Sequence, residues 1–175
     1  DGIILNTSYR RYTVQFNGES RVKPWIKFGN NLTLSHDEKK SGDYNIRMAM
    51  ASLPTQPIYN EDGSYSGPDS PAHQYSDIRN VVGTALINGQ NTTKGYNILG
   101  NIFAEITPIN HLVFKTTGGL DFKYWDNRSF SPKYNWKPIP NPLSNLYQDA
   151  NKSTTLLWDN TLTYTNTFAQ KHFLN

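Results

Sequence analysis

Along much of this chain, apolar and polar side chains trade places at every residue, the period of a strand with one greasy and one wet face. From Tyr9 to Glu19, Tyr12, Val14 and Phe16 share one face, and Arg11, Thr13, Gln15 and Asn17 share the other. After Val22-Lys23-Pro24-Trp25 the pattern resumes. Ile26, Phe28, Leu32 and Leu34, interrupted by Asn30, oppose Lys27, Gly29, Asn31, Thr33 and Ser35. A third strand is predicted from Gly95 to Ile106, with Tyr96, Ile98, Ile102, Ala104 and Ile106 on one face and Asn97, Asn101 and Glu105 on the other. Leu99 and Phe103 break its alternation. Thr107-Pro108-Ile109-Asn110 reads as a short turn, because proline has no N–H for a ladder. In the fourth strand Leu112, Phe114, Leu120, Phe122 and Tyr124 alternate with Lys115, Thr117, Asp121 and Lys123. In the fifth, from Thr154 to Phe168, Leu156, Trp158, Leu162, Tyr164 and Phe168 alternate with Thr155, Asp159, Thr161, Thr163 and Thr165, and Leu157 is the exception. A sixth begins near Phe173. The fold class is therefore all-β, with antiparallel up-and-down strands.

The predicted strands are long, roughly 10–14 residues where soluble strands peak at about 5–6. A strand tilted across a bilayer needs about 9–11. The connections also alternate in length. Those around Lys23, Pro108 and Gln170 are short, whereas His36–Lys94 and Asp126–Lys152 are long. Outer-membrane barrels have short periplasmic turns and longer outer loops, and up-and-down order places every second connection on one side. Both features predict part of a transmembrane outer-membrane β-barrel with long extracellular loops. Its apolar face would meet lipid, and Tyr12, Trp25, Tyr124, Trp125, Tyr164 and Phe168 would form interfacial girdles. The rival is a secreted β-sandwich carbohydrate-binding module, in which the same side chains fill a core. The two readings differ in whether the apolar face is open or covered.

Composition agrees with a wet-faced β-protein. Hydrophobic residues make up 36% and charged residues 18%, yet aromatics reach 13%, too many for a disordered chain. The net charge of +3 is spread along the sequence, and no cationic run points to nucleic acid. Without cysteine there is neither a disulfide nor a thiolate metal site. No stretch has the roughly 18 consecutive apolar residues of a membrane helix, which leaves a strand-built span open. The chain opens at Asp1-Gly2-Ile3-Ile4 without a leader, and both ends look cut from something longer.

Candidate chemistry is sparse. Asn45–Leu53 has helical composition and stops before Pro54. In Pro57-Ile58-Tyr59-Asn60-Glu61-Asp62-Gly63-Ser64-Tyr65, the Asp62-Gly63 pair signals a tight hairpin. Its acidic cluster lacks the spacing and closing Glu of a calcium loop. Tyr134, Trp136, Pro138, Pro140, Pro142 and Tyr147 give the second long loop stiff, aromatic chemistry suited to stacking on sugars or gripping a peptide. Tyr59, Tyr134, Trp136 and Tyr147 are the candidate substrate-binding residues. His36, His73, His111 and His172 show no metal-ligand spacing and are expected to be solvated loop or turn residues. Asp121 and Asp159 could imitate a glycosidase pair, but both fall on the polar strand face, where charges in a lumen are ordinary. There is no GxSxG and no P-loop. No catalytic, cofactor or metal site is assigned, and the chain does not read as an enzyme.

These segments together resemble a known family. Gly2-Ile3-Ile4-Leu5-Asn6-Thr7, followed by Arg11-Tyr12-Thr13, is similar to an early barrel segment of SusC/RagA-type TonB-dependent transporters. So is Val22-Lys23-Pro24-Trp25-Ile26-Lys27-Phe28-Gly29-Asn30-Asn31-Leu32. Pro57–Tyr65 resembles their first long loop, and Leu99-Gly100-Asn101 with Ala104-Glu105-Ile106 their next strand. Trp158-Asp159-Asn160-Thr161-Leu162-Thr163-Tyr164 is like a later one. The resemblance spans nearly the whole chain, through order and spacing rather than one specific motif. It implies a cell outer-membrane barrel plugged by an N-terminal domain, a SusD-like lipoprotein lid, energy from the TonB complex, and import of glycans or peptides. Residues 1–175 would be a partial barrel without plug or TonB box, unable to transport alone.

Overall fold

The computed structural model describes residues 2–42, 46–67, 79–87, 90–135, 140–168 and 172–175. Five strands, β1 (Ser8–Lys23), β2 (Ile26–Ser41), β3 (Asn91–Ile109), β4 (Leu112–Ser131) and β5 (Asn145–Tyr164), form one sheet in sequence order. The order is antiparallel and up-and-down, and β1 and β5 are its edges. A second, two-stranded sheet pairs β6 (Asn166–Phe168) with β7 (His172–Leu174), at Asn166 with Leu174 and Phe168 with His172. Two short helices, α1 (Ile46–Ala51) and α2 (Val81–Ile87), lie in the first long loop.

The apolar face is open. Ala85 is the one buried hydrophobic side chain among the described residues, whereas Ile102 is 69%, Leu156 77% and Trp158 80% exposed. A β-sandwich needs that face covered by a second layer; among the described residues nothing covers it, and the sandwich reading fails.

The strands are longer than expected. β1 and β2 have 16 residues, β3 has 19, and β4 and β5 have 20. The regular apolar alternation ends before the strands do, because backbone pairing in the sheet does not require it. The long connections shrink accordingly, to residues 42–90 and 132–144. Pro108 belongs to β3 and not to the turn, which is Asn110-His111, with His111 at φ 71°. One residue from the strand end, a missing donor removes only a terminal rung. The fifth strand stops at Tyr164; Thr165 N–H donates to His111 O at 2.8 Å before β6 begins. The expected turn near Gln170 lies outside the described residues.

Two exceptions to the alternation have a packing cause. A Cβ on Gly29 would overlap the Phe103 ring, so the glycine is the seat for that ring on the polar face. Likewise a Cβ on Gly119 would come within 3.3 Å of Leu157 Cβ. A large side chain over a cross-strand glycine covers otherwise bare backbone. Nothing in the structure explains Leu99. Gly29→Val should displace Phe103 and destabilise the folded full-length barrel by about 1–3 kcal/mol, read as a lower urea midpoint.

By internal contacts the chain divides into two compact units. One comprises Asp1–Arg11, Asp37–Lys94 and Trp125–Ala150, the other Tyr12–His36, Gly95–Tyr124 and Asn151–Asn175.

Candidate functional site

The second unit carries the two faces of the wall. On the apolar side, His36 stacks on Tyr96 with ring centroids 4.5 Å apart, and Tyr96 meets Tyr124 at 6.2 Å. His36 Nδ1 lies 2.9 Å from Gly95 O, and because a carbonyl only accepts, Nδ1 carries the proton. His36 is therefore a half-buried strand residue in an aromatic row, not a solvated loop residue. Its side chain belongs with the apolar face, a role that spacing alone did not reveal. Backbone pairing also puts His172 in a strand, His111 is in the turn as expected, and His73 lies outside the described residues.

Tyr12 shares this face by the alternation of β1. From the aromatic row, Tyr12 to Val22, His36 back to Ile26 and Tyr96 to Ile106 each match the about 9–11 residues of a membrane crossing. An apolar band ending in an aromatic row matches the interfacial girdle of a barrel strand. Of the expected girdle, Tyr12 and Tyr124 fit. Trp125 points to the opposite face of β4, because successive side chains in a strand alternate. Phe168 belongs to β6, outside the wall. At mid-band, Trp158 Nε1 donates to Thr116 Oγ1 at 3.0 Å, satisfying the indole where water is scarce.

The polar face is a network of charges and amides. Lys27 Nζ sits 2.8 Å from Glu19 and 5.7 Å from the Phe103 centroid, and Lys115 Nζ lies 4.5 Å over the same ring. Asn31 Nδ2 donates to Asn101 Oδ1 at 3.1 Å. Asp121 is held by Lys123 Nζ at 2.9 Å, while Asp159 stands exposed. An ion-paired and an open carboxylate on a polar wall fit a lumen lining better than an acid–base pair.

The first unit holds the loops. In Asn60–Ser64, Asn60 N–H donates to Ser64 O at 2.8 Å and Gly63 N–H to Asn60 O at 2.9 Å. Gly63 takes φ 80°, the conformation that the Asp62-Gly63 signal requires. Asp62 Oδ1 accepts from Ser64 N–H at 2.9 Å and Ser64 Oγ at 2.6 Å. The Ser64 donors hold its carboxyl below the usual carboxylate range. That carboxylate thus serves the turn.

Asn80 was missed at the sequence level. Its Oδ1 accepts from Gly83 N–H at 2.8 Å and caps α2, while its Nδ2 donates to Ile58 O at 2.7 Å and Ser66 O at 3.0 Å. An Asn before an apolar run is a cap signal, but Val81-Val82-Gly83 has poor helix propensity, so the helix stayed hidden. At the other end, Asn6 Nδ2 reaches Ala85 O at 3.1 Å and Leu86 O at 3.3 Å. The other helix behaves as expected: α1 falls within Asn45–Leu53.

Of the candidate substrate-binding residues, Tyr59 pairs with Tyr65 across the hairpin, their rings 5.3 Å apart, and stays half exposed. Tyr134 pairs with Asn141, and its hydroxyl is 3.5 Å from Arg79 Nη1, a long contact joining the two loops. Tyr147 lies near the start of β5 and is largely exposed. On its face, Thr93 Oγ1, Asn127 and Asp149 form a hydrogen-bonded chain at 2.9 and 3.1 Å. Trp136 lies outside the described residues. No group of metal-ligating side chains occurs among the described residues.

Fold and faces define a class: antiparallel strands of a β-barrel wall, with one face apolar and open. No family model matches the chain. A TonB-dependent receptor, P26, of Formosa agariphila (strain DSM 15362 / KCTC 12365 / LMG 23005 / KMM 3901 / M-2Alg 35-1) is 30% identical over 122 residues, 70% of this chain and 12% of the receptor. The RagAB peptide transporter superposes with TM-score 0.73 at 21% identity, over 95% of this chain and 19% of the matched chain. The RagAB peptide importer in its open-open state gives 0.71 at 22% identity over the same shares. The chain belongs to the TonB-dependent receptors, and its fold matches a segment of the RagAB barrel. It spans about an eighth of the curated relative's length. The matched proteins are a receptor and a peptide transporter.

Proposed function

We propose that this chain is wall and outer-loop surface of a cell outer-membrane importer that takes up peptides or oligosaccharides. The observation that carries this is the open apolar face bounded by the His36–Tyr96–Tyr124 row. Exposed apolar surface on this scale is costly in water and ordinary against lipid. The whole transporter would have its plug inside the polar face, energy from the TonB complex, and a SusD-like lipoprotein lid over the loop side. The pairing in RagAB supports the lid.

Tyr59, Tyr134, Trp136 and Tyr147 are the proposed substrate contacts. Tyr59 and Tyr147 keep open ring surface, and Tyr134 stands where Arg79 joins the loops. Aromatic faces stack on sugar rings and on peptide side chains alike, so the class is settled by uptake. In the full-length transporter, Tyr59→Ala with Tyr147→Ala should lower energised uptake of a labelled oligopeptide or oligosaccharide pool at least threefold. Outer-membrane abundance should not change. Unchanged uptake of both pools would remove these residues from the substrate path.

A further inference from the structure

Within the first unit, the end of α1, residues 56–58 and residues 79–82 form a cavity of about 260 Å³. We infer that this cavity is a seat for the carboxy-terminal residue of an imported peptide, with Arg79 holding the α-carboxylate. The inference rests on the importer reading above and narrows its substrate to peptides.

Three observations carry it. First, charge. Arg79 is the one charged side chain that lines the cavity, and no ion pair engages it among the described residues. Its hydrogen bond there is a long one, from Nη1 to Tyr134 Oη at 3.5 Å. The guanidinium therefore keeps donors to spare, and their fork matches a carboxylate. Most of the remaining lining is apolar: Ala49, Pro57, Ile58, Val81 and Val82. In such surroundings a well-aligned charge pair is stronger than in water.

Second, an acceptor without a donor. Gln56 lines the same cavity, and its Oε1 is shut from solvent and accepts no hydrogen bond. Buried polar atoms left in this state are uncommon. The terminal amide turns on a soft torsion, so the N–H of a ligand can meet it. The last residue of a peptide brings both missing groups on one carbon, a carboxylate for Arg79 and an N–H for Gln56.

Third, the walls are tied together without a ligand. Asn80 Nδ2 donates to Ile58 O at 2.7 Å and its Oδ1 accepts from Gly83 N–H at 2.8 Å, which joins residues 56–58 to α2. Gln56 N–H donates to Leu53 O at 3.0 Å, and Ser52 Oγ to Met48 O at 3.0 Å, which joins them to α1. A seat formed in advance loses less entropy on binding. Its volume falls short of the roughly 300–1,000 Å³ that holds a whole small ligand, so it takes one end of a chain. A uronic acid also offers a carboxylate. However, its ring hydroxyls would lie unpaired against Val and Ile, and no aromatic ring lines the cavity for a sugar to stack on.

The test uses the full-length transporter, extracted from outer membranes in non-ionic detergent. The probes are a pool of fluorescent peptides ending in leucine, the same pool as carboxy-terminal amides, and an oligouronide. By anisotropy, the wild type should bind the free-acid pool about tenfold more tightly than the amide pool, the scale of a hydrogen bond between charged groups. Arg79→Gln should abolish that preference and bind both pools at the amide level. Arg79→Lys keeps the charge without the fork and should retain part of the preference. Gln56→Ala should weaken both pools alike, because each carries the N–H. Heat-modifiable migration on gels shows that each variant is folded. Equal binding of acid and amide pools by the wild type overturns the inference, as does a folded Arg79→Gln that keeps the preference. Oligouronide bound through Arg79 more tightly than either peptide pool overturns the choice of peptide. Should the wild type neither bind nor, in energised cells, take up any of the three probes, the importer reading itself fails, and this inference with it.

Discussion

Ile102→Arg in the full-length transporter should destabilise the barrel by about 2–4 kcal/mol, the cost of a cation on a lipid-facing strand near the bilayer midplane. Ile102 lies midway along the apolar run from Tyr96 to Ile106 and is 69% exposed. In water, a substitution at so open a position would stay within about 0.5 kcal/mol. A large effect at an exposed site is therefore a signature of lipid. The control is Thr155→Arg, on the polar face of β5, which is also exposed. Arginine there would sit among lumen charges and change stability little. Urea unfolding in lipid vesicles measures both. Equal, small effects would mean that the greasy face meets water, and the membrane reading would fall.

Asn80→Ala should loosen the first long loop while leaving the wall intact. The substitution removes a cap acceptor and two donors from a side chain only 5% exposed. A lost cap costs about 1–2 kcal/mol, and the Ser66 carbonyl left buried without its Asn80 donor costs about 1–3, whereas Ile58 O keeps the Ser66 N–H at 3.0 Å. A local loss of roughly 2–4 kcal/mol is expected once relaxation and water entry soften the sum. Hydrogen exchange of residues 46–67 and 79–87 should accelerate by orders of magnitude, with β2 and β3 unchanged. Asn80→Asp keeps the acceptor for Gly83 and discards both donors, so it should fall between.

These two experiments probe parts of the molecule that differed in how well sequence revealed them. Alternation in Tyr12–Val14–Phe16, Ile26–Phe28 and Leu156–Trp158 determined the strands, their order and which face is greasy, because a period of two needs only local chemistry. Length and loop rhythm pointed to a barrel for the same reason. Alternation did not reach Ser41 or Asn91, where β-pairing persists with polar side chains on both faces, nor Asn145, where Leu146 and Tyr147 follow each other and break the period. There the ladder is sustained by neighbouring strands, and no local signal marks it.

What tertiary structure alone decided were the exceptions and the loop contacts. Phe103 and Leu157 looked like errors of pattern until Gly29 and Gly119 appeared across the strand from them. His36 looked like a loop residue until Tyr96 stacked on it. Asn80, distant in sequence from Ile58 and Ser66, became a hub only when the chain folded back. In each case the partner is remote along the chain. Sequence periodicity records what a residue does to its own strand, and the contacts that give these residues their roles exist only once strands and loops are brought together.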